Sequence, residues 1–160
     1  MKILFYIALI LITFDFAYSR SFGETEILAE DGIEVFQNEK YYLLKKNVEI
    51  KSDNFYLSGD EVKIYFNKDL YDIKSLHAVG NVKLDSKLYK ISGSGNELYF
   101  LVKSEEVTII GENSSLILDE IKMRSNNEIM VNNLTGSFSL FGKNSNLTTN
   151  LNDIRGEKII

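Results

Sequence analysis

The stretch Asn47 to Phe66, NVEIKSDNFYLSGDEVKIYF, recurs without a gap thirty-four residues later as Asn81 to Phe100, NVKLDSKLYKISGSGNELYF. Seven of the twenty aligned positions are identical, and Ile50/Leu84, Phe55/Tyr89, Leu57/Ile91 and Ile64/Leu98 keep their character. Internal repeats mean stacked units that bury a continuous core. Within each copy the rhythm is two: Val48 and Ile50 alternate with Glu49 and Lys51, and Val62, Ile64 and Phe66 with Glu61, Lys63 and Tyr65. Period two is the strand signature, with one apolar and one wet face. Each copy therefore reads as strand, turn, strand, Ser-Gly bend, strand.

The rest of the chain agrees. Glu26 to Val35 reads as a first strand with a turn at Asp31-Gly32, Tyr41 to Leu44 leads into the first copy, and Ile73 to Val79 leads into the second. Val107 to Asn113 resembles Leu76 to Asn81 and opens a degenerate third copy through Leu116, Leu118, Ile121, Met123, Ile129 and Val131. Leu134 to Phe141 alternates again. Lys143 to Ile160 is polar and Asn-rich, with weak alternation at Leu147, Thr149 and Leu151, and is either a last edge strand or a frayed tail. No long segment after residue 19 carries a helical stripe. The chain has no proline, where average usage predicts about eight. That suits a chain committed to ladders, since proline cannot donate to one; drift toward Lys, Asn and Ile explains it equally well.

Met1 to Ser19 reads as a secretory signal peptide. Lys2 precedes a twelve-residue apolar run, Ile3 to Phe14, which is too short to span a bilayer as a helix. Ala17-Tyr18-Ser19 then places small residues where a signal peptidase needs them. The alternative is an uncleaved anchor. Absence of cysteine argues against a lipoprotein. The expected organisation is a signal peptide at 1–19, one β domain at 20–142 and a polar edge strand or tail at 143–160.

Composition closes several functional classes. Net charge is -5 with both signs dispersed, which argues against nucleic acid. No cysteine and one histidine leave no set for a catalytic zinc and no disulfide framework. His77 lies in an alternating strand, where a solvent-facing or satisfied histidine is the plain reading. Glu49, Asp60, Glu61 and Glu97 fall on the polar phase or in turns, as a solvated face places them. Ser92-Gly93-Ser94-Gly95-Asn96 is Gly-rich, but no helix follows to hold a phosphate, and it reads as a turn. The sequons at Asn113, Asn133 and Asn146 are expected by chance in an Asn-rich chain. No catalytic, metal or cofactor site is expected.

What remains is apolar surface. A single antiparallel sheet must have its apolar face covered. The copies are expected to fold over one another as a sandwich, jelly roll or solenoid. The interior would be formed by Val48, Ile50, Phe55, Leu57, Val62, Ile64, Phe66, Val82, Leu84, Ile91, Leu98 and Phe100. That interior is either a dry core or a groove open to an apolar ligand. The end strands, Glu26 to Val35 and Leu134 to Phe141, would offer Ile27, Ala29, Phe138 and Leu140 on edges open to strand addition. Because the two edges differ, such association would be head-to-tail.

Several short elements resemble the organic-solvent-tolerance-like (OstA) domain family: Glu26 to Asp31, Lys46-Asn47-Val48-Glu49-Ile50, Leu57-Ser58-Gly59-Asp60 through Tyr65-Phe66, His77 through Leu84, and Ile91-Ser92-Gly93 to Tyr99. They cover roughly residues 26–131, with Lys46 where glycine is usual and Ser94-Gly95 where the family has an acidic residue. The resemblance implies an all-β, antiparallel jelly roll of V-shaped strands with an apolar interior. It implies a periplasmic protein that shields the acyl chains of lipopolysaccharide, without cofactor or catalysis. It also implies end-to-end joining to itself and to similar folds on inner- and outer-membrane partners, with energy supplied by an ATPase elsewhere. A membrane-anchored adaptor of the same pathway and a secreted structural or sugar-binding β-protein are the other readings.

Overall fold

The computed structural model describes residues 22–68 and 72–160. The segment read as a signal peptide lies outside the described residues. Among those described there is no helix, and twelve strands follow in order: β1 (Glu26–Leu28), β2 (Ile33–Phe36), β3 (Tyr41–Lys51), β4 (Phe55–Phe66), β5 (Ile73–Ser86), β6 (Ile91–Leu101), β7 (Glu106–Ile110), β8 (Ser114–Leu118), β9 (Ile121–Ser125), β10 (Glu128–Asn132), β11 (Ser137–Thr148) and β12 (Asp153–Ile159). Every pairing is antiparallel; β3 to β7 pair in chain order, after which β7 pairs β10, β8 pairs β9, and β9 and β10 both pair β11.

The long strands are bent at their middles by one-residue bulges. β3 places Lys46-Asn47 opposite Asp60 of β4, and β5 places Gly80-Asn81 opposite Asn96 of β6. Lys46, Asn47, Gly80 and Asn81 all have left-handed φ, from +50° to +79°. Asn adopts that region more readily than most residues, and glycine does so freely. Gly80 is also required by space, since a Cβ there would lie 2.1 Å from Asp60 Oδ2. The bends recur at Gly111-Glu112-Asn113 and Gly142-Lys143-Asn144, with matching φ values at the glycines (+131° and +130°) and asparagines (+59° and +62°). At the former the bend divides one V-shaped run into β7 and β8.

The bends fold the sheet into two layers. One contains β2, β7 and β10, the other β1, β8 and β9; β3 to β6, β11 and β12 contribute to both. They are called the β7 layer and the β8 layer. Tyr89 and Phe100 reveal how far the folding goes. Eleven residues of extended chain span about 36 Å, yet their ring centroids are 5.5 Å apart. Of the twelve residues expected inside, eleven are buried, and Phe55 packs against the cluster half-buried. The wider core adds Leu44, Val107, Ile109, Leu116, Met123, Ile129, Val131, Leu140 and Leu147.

Two local expectations are corrected. Ser92 to Asn96 is not a turn but part of β6. Its glycines make room for Ile109: a Cβ on Gly93 would lie 2.5 Å from Ile109 Cδ1, and one on Gly95 would lie 2.4 Å from Ile109 Cγ2. Leu134 to Phe141 is a terminal edge only at Ser137 to Ser139, which pair with β10 alone among the described residues. β11 runs past position 142 to Thr148, lies between β10 and β12 at Leu140 and Phe141, and between β9 and β12 at Asn146 to Thr148. Leu140 is fully buried, and Phe138 packs half-buried on the core. The reason is the tail. Residues 143–160 turn Leu147 and Ile159 inward, so from Leu140 onward β12 is the outermost strand. At the other end β1 and β2 pair with β3 alone among the described residues; Ile27 is exposed, and Ala29 sits at the bend between them, packed on the core.

Gly93→Ala is expected to cost about 1–3 kcal/mol by overpacking. In urea unfolding, combining it with Ile109→Val, which removes the clashing Cδ1, should cost less than the sum of the single changes.

Candidate functional site

The interior between the layers is apolar from β3 to β12. Its buried polar side chains are Ser86, Ser114, Ser125 and Ser145. Three of them serve the backbone where bulges free carbonyls: Ser114 Oγ donates to the Gly111 carbonyl (2.8 Å), Ser145 Oγ to the Gly142 carbonyl (2.8 Å) and Ser125 Oγ to the Phe141 carbonyl (2.6 Å). The fourth, Ser86, accepts from the Tyr89 N–H at 3.4 Å. No buried side-chain polar atom among the described residues lacks a partner. Such an interior holds no group for acid–base or nucleophilic work; it offers hydrocarbon contact.

The twelve sequence-predicted site residues come together in this interior, drawn from both layers: Val62, Ile64, Phe66, Leu98 and Phe100 from the β7 layer, Val48, Ile50, Phe55, Leu57, Val82, Leu84 and Ile91 from the β8 layer. They pack as a closed core. Toward the strand tips, opposite the bends, burial becomes partial. Tyr42, Ile73, Val102 and Phe138 of the β7 layer and Phe55, Tyr89, Leu118 and Ile121 of the β8 layer are half-buried against the core. These residues form the mouth of the V. Tyr89 was legible in the sequence as the aligned partner of Phe55, but it stands in a turn, outside any alternating run. Tyr42, Ile73 and Val102 flank turns and carry no such signal.

Two cavities border the layers. One, of about 550 Å³, opens at the mouth between Tyr89, Lys90, Leu118 to Ile121 and Thr149 to Leu151 on one side and Asn133 and Gly136 on the other. The other, of about 1110 Å³, is a polar groove near the last bends, lined by Asn113, Arg124, Lys143, Asp153, Arg155 and Glu157 among others. There Arg155 pairs with Asp153 at 2.9 Å.

The outward faces differ. The β8 layer presents Lys83, Ser94, Ser115, Lys122 and Arg124. The β7 layer carries cross-strand rings instead: Phe36 on Tyr41 (4.6 Å), Tyr41 near Tyr65 (5.7 Å) and His77 stacked on Tyr99 (4.2 Å). Such pairs stabilise a sheet without a second layer. His77 is a partnered strand residue: its Nε2 lies 2.7 Å from Glu97 Oε1, which also accepts from the Tyr99 hydroxyl at 2.6 Å. The Tyr99 hydrogen bond, then the His77 one, holds the Glu97 carboxyl below the usual range against the opposing effect of partial burial. The same bond raises Tyr99.

A lowered carboxyl contributes stability that is complete above its ordinary value of 4.5 and is lost as pH falls through the lowered folded value. A raised phenol contributes stability that is complete below its ordinary value of 10.0 and is lost as pH rises through the raised folded value. The stability difference between wild type and Glu97→Gln, from urea midpoints, should therefore shrink as pH falls below 4.5 and again as it rises above 10.0.

With this geometry in view, comparisons with known proteins are informative. The sequence matches the family model described as LptA/(LptD N-terminal domain) LPS transport protein over residues 26–136. No curated protein matches the sequence significantly. The fold is similar to that in the crystal structure of LptH, the LptA-homologous periplasmic component of the lipopolysaccharide transport device from Pseudomonas aeruginosa. The TM-score is 0.60 at 14% identity, covering 74% of this chain and 82% of that one. At that identity the likeness speaks for the fold, an LptA-type β-jelly roll. The family match spans more than half of the sequence and includes both copies of the repeat, and the chain belongs to the LptA/LptD N-terminal domain family of lipopolysaccharide transport proteins.

Proposed function

We propose that this chain is a periplasmic carrier that shields the acyl chains of lipopolysaccharide between its two layers and bridges inner- and outer-membrane components. The observation that carries the reading is the interior: apolar from end to end, with its polar atoms satisfied, and bordered on one side by a half-buried mouth. Family membership and the LptH-like fold support it. Burial of each methylene contributes about 0.8 kcal/mol, so affinity comes from chain length rather than directed bonds. No strand ladder crosses the mouth among the described residues, so the layers are joined through the bends and the core packing. Parting them exchanges side-chain contacts for acyl contacts. Binding and release, driven from elsewhere, are then the whole of the work.

The ends supply the bridge. β1 and β2 form one open edge, and β12 with Ser137 to Ser139 of β11 the other. Ile27, Leu28, Ile33 and Val35 on the first, and Ile154 on the second, leave apolar side chains exposed. Strand addition at these unlike edges would set successive copies, or similar domains of membrane partners, head to tail and align their interiors.

Photo-crosslinkers at Phe66, Leu84 or Phe100 should capture lipopolysaccharide in cells, whereas those at Lys63, Lys83 or Glu97 on the outward phase should not; equal capture from both would contradict the carrier reading. Native mass spectrometry of protein from its own periplasm should show loss of residues 1–19 together with bound lipid. An intact N-terminus would favour the anchored adaptor of the same pathway instead. For the edges, light scattering against concentration should show growth for wild type and monomers for Ile27→Pro or Ile154→Pro, because proline removes a ladder donor. A wild type that stays monomeric at all concentrations and pairs with no similar domain would remove the bridge.

A further inference from the structure

The closed core raises the question of where a hydrocarbon chain gets in. The bends close one side of the body with continuous backbone. On the opposite side, the mouth leaves core-contacting side chains half-exposed. Within it, among the ring pairs of the described residues, Tyr89 on Phe100 is the one that joins the two layers; Tyr42 and Phe66 both belong to the β7 layer. Tyr89 stands in the turn between β5 and β6, its ring edge-on to that of Phe100. Phe100 belongs to the buried cluster, so the Tyr89 ring is what lies over this part of the core.

The surroundings of Tyr89 suit a movable cover. No ladder holds its residue; its backbone N–H is tied only by a long bond to Ser86 Oγ, at 3.4 Å. The mouth cavity of about 550 Å³ lies directly beside it, with Leu118 and Ile121 on its apolar part. The ring therefore has space to move into, and side-chain rotation at a turn is fast. The rim fixes the polarity of what enters. Lys90 is paired with Asp119 at 3.6 Å, and Glu120 accepts from Asn150. With two carboxylates against one ammonium, the rim does not favour an anionic head, so the hydrocarbon end goes in first and the polar head stays outside.

We propose that the cleft beside Tyr89 is an acyl-entry port and that Tyr89 is its cover, displaced from Phe100 when a straight hydrocarbon chain enters. This rests on the carrier reading above and adds to it the place of entry and the residue that controls it. Removing the ring removes a contact that entry must break. An aromatic pair contributes about 0.5–1.5 kcal/mol beyond area, so Tyr89→Ala should speed entry about two- to tenfold. Tyr89→Phe, which keeps the ring, should leave the rate near wild type.

The chain has no tryptophan, so Tyr89→Trp introduces a single indole reporter. Titration with dodecanoate should shift its emission saturably, whereas a Tyr65→Trp reporter on the outward face should stay unchanged. Stopped-flow binding of 11-(dansylamino)undecanoic acid should be faster for Tyr89→Ala than for wild type and Tyr89→Phe. If neither probe binds wild type, the carrier reading itself fails. If the dansyl probe binds wild type but the Tyr89→Trp reporter is silent and the Ala variant shows no acceleration, the port is overturned while the carrier reading stands. Should Tyr89→Ala not fold, as judged by circular dichroism, the two indole reporters decide alone: a saturable shift in the Tyr89→Trp protein only upholds the port, and a silent or equal response overturns it.

Discussion

Everything in this molecule depends on the bends that interrupt its long strands. A sheet of antiparallel strands with one apolar face cannot stand alone in water, because that face needs a cover. Here the cover is the other half of the same strands. At Lys46-Asn47, Gly80-Asn81, Gly111 to Asn113 and Gly142 to Asn144, one or two extra residues and a left-handed backbone turn the ladder back on itself. Bulges ordinarily kink a strand and increase its twist. Repeated in register across neighbouring strands, they become the fold line of a two-layered body. The inner neighbours of the fold line then follow: valine at 48 and 82, serine at 114 and 145, where a hydroxyl answers a carbonyl at the bend.

A body folded in this way is held asymmetrically. Along each layer the chain is joined by directional backbone bonds, while the core packed between the layers is apolar. Apolar burial is non-directional and roughly proportional to area. Hydrocarbon from outside can therefore substitute for hydrocarbon from the opposite layer without leaving a polar group unsatisfied. That interchangeability distinguishes this interior from an enzyme site, in which placed charges and donors do the selecting. At the mouth burial is partial, and among the ring pairs of the described residues Tyr89 on Phe100 is the one that links the layers.

The ends and outer faces are equally unlike one another. The first edge is built from two short strands with exposed apolar side chains, the last from a longer strand of mixed charge, Asp153 to Lys158, flanked by Ile159 turned inward. Addition of one edge to the other is heterologous and therefore open and directional. The aromatic rows on the β7 layer and the polar rows on the β8 layer give the body two distinguishable sides as well.

Alternation alone placed eleven of the twelve proposed interior residues in the buried core and Phe55 at its border, because which way a strand residue points is a local property of the chain. The repeat likewise announced itself as paired identical positions, including the Asn-Val that follows each of the first two bends. Other features needed partners distant in sequence. Gly93 and Gly95 imitate a turn until Ile109, arriving from another strand, is seen to occupy the space they leave. Leu140 resembles an edge residue until β12 pairs beside it, and an Asn-rich tail conceals Leu147 and Ile159 as core residues. Tyr89 meets Phe100 only because the strand between them folds back. Strand character and facing were thus determined by the sequence itself, since each depends on neighbours within a few residues. Which edge is last, which glycines make room and which ring covers the core were decided by the tertiary structure, since each depends on a contact that exists only after the sheet has folded over.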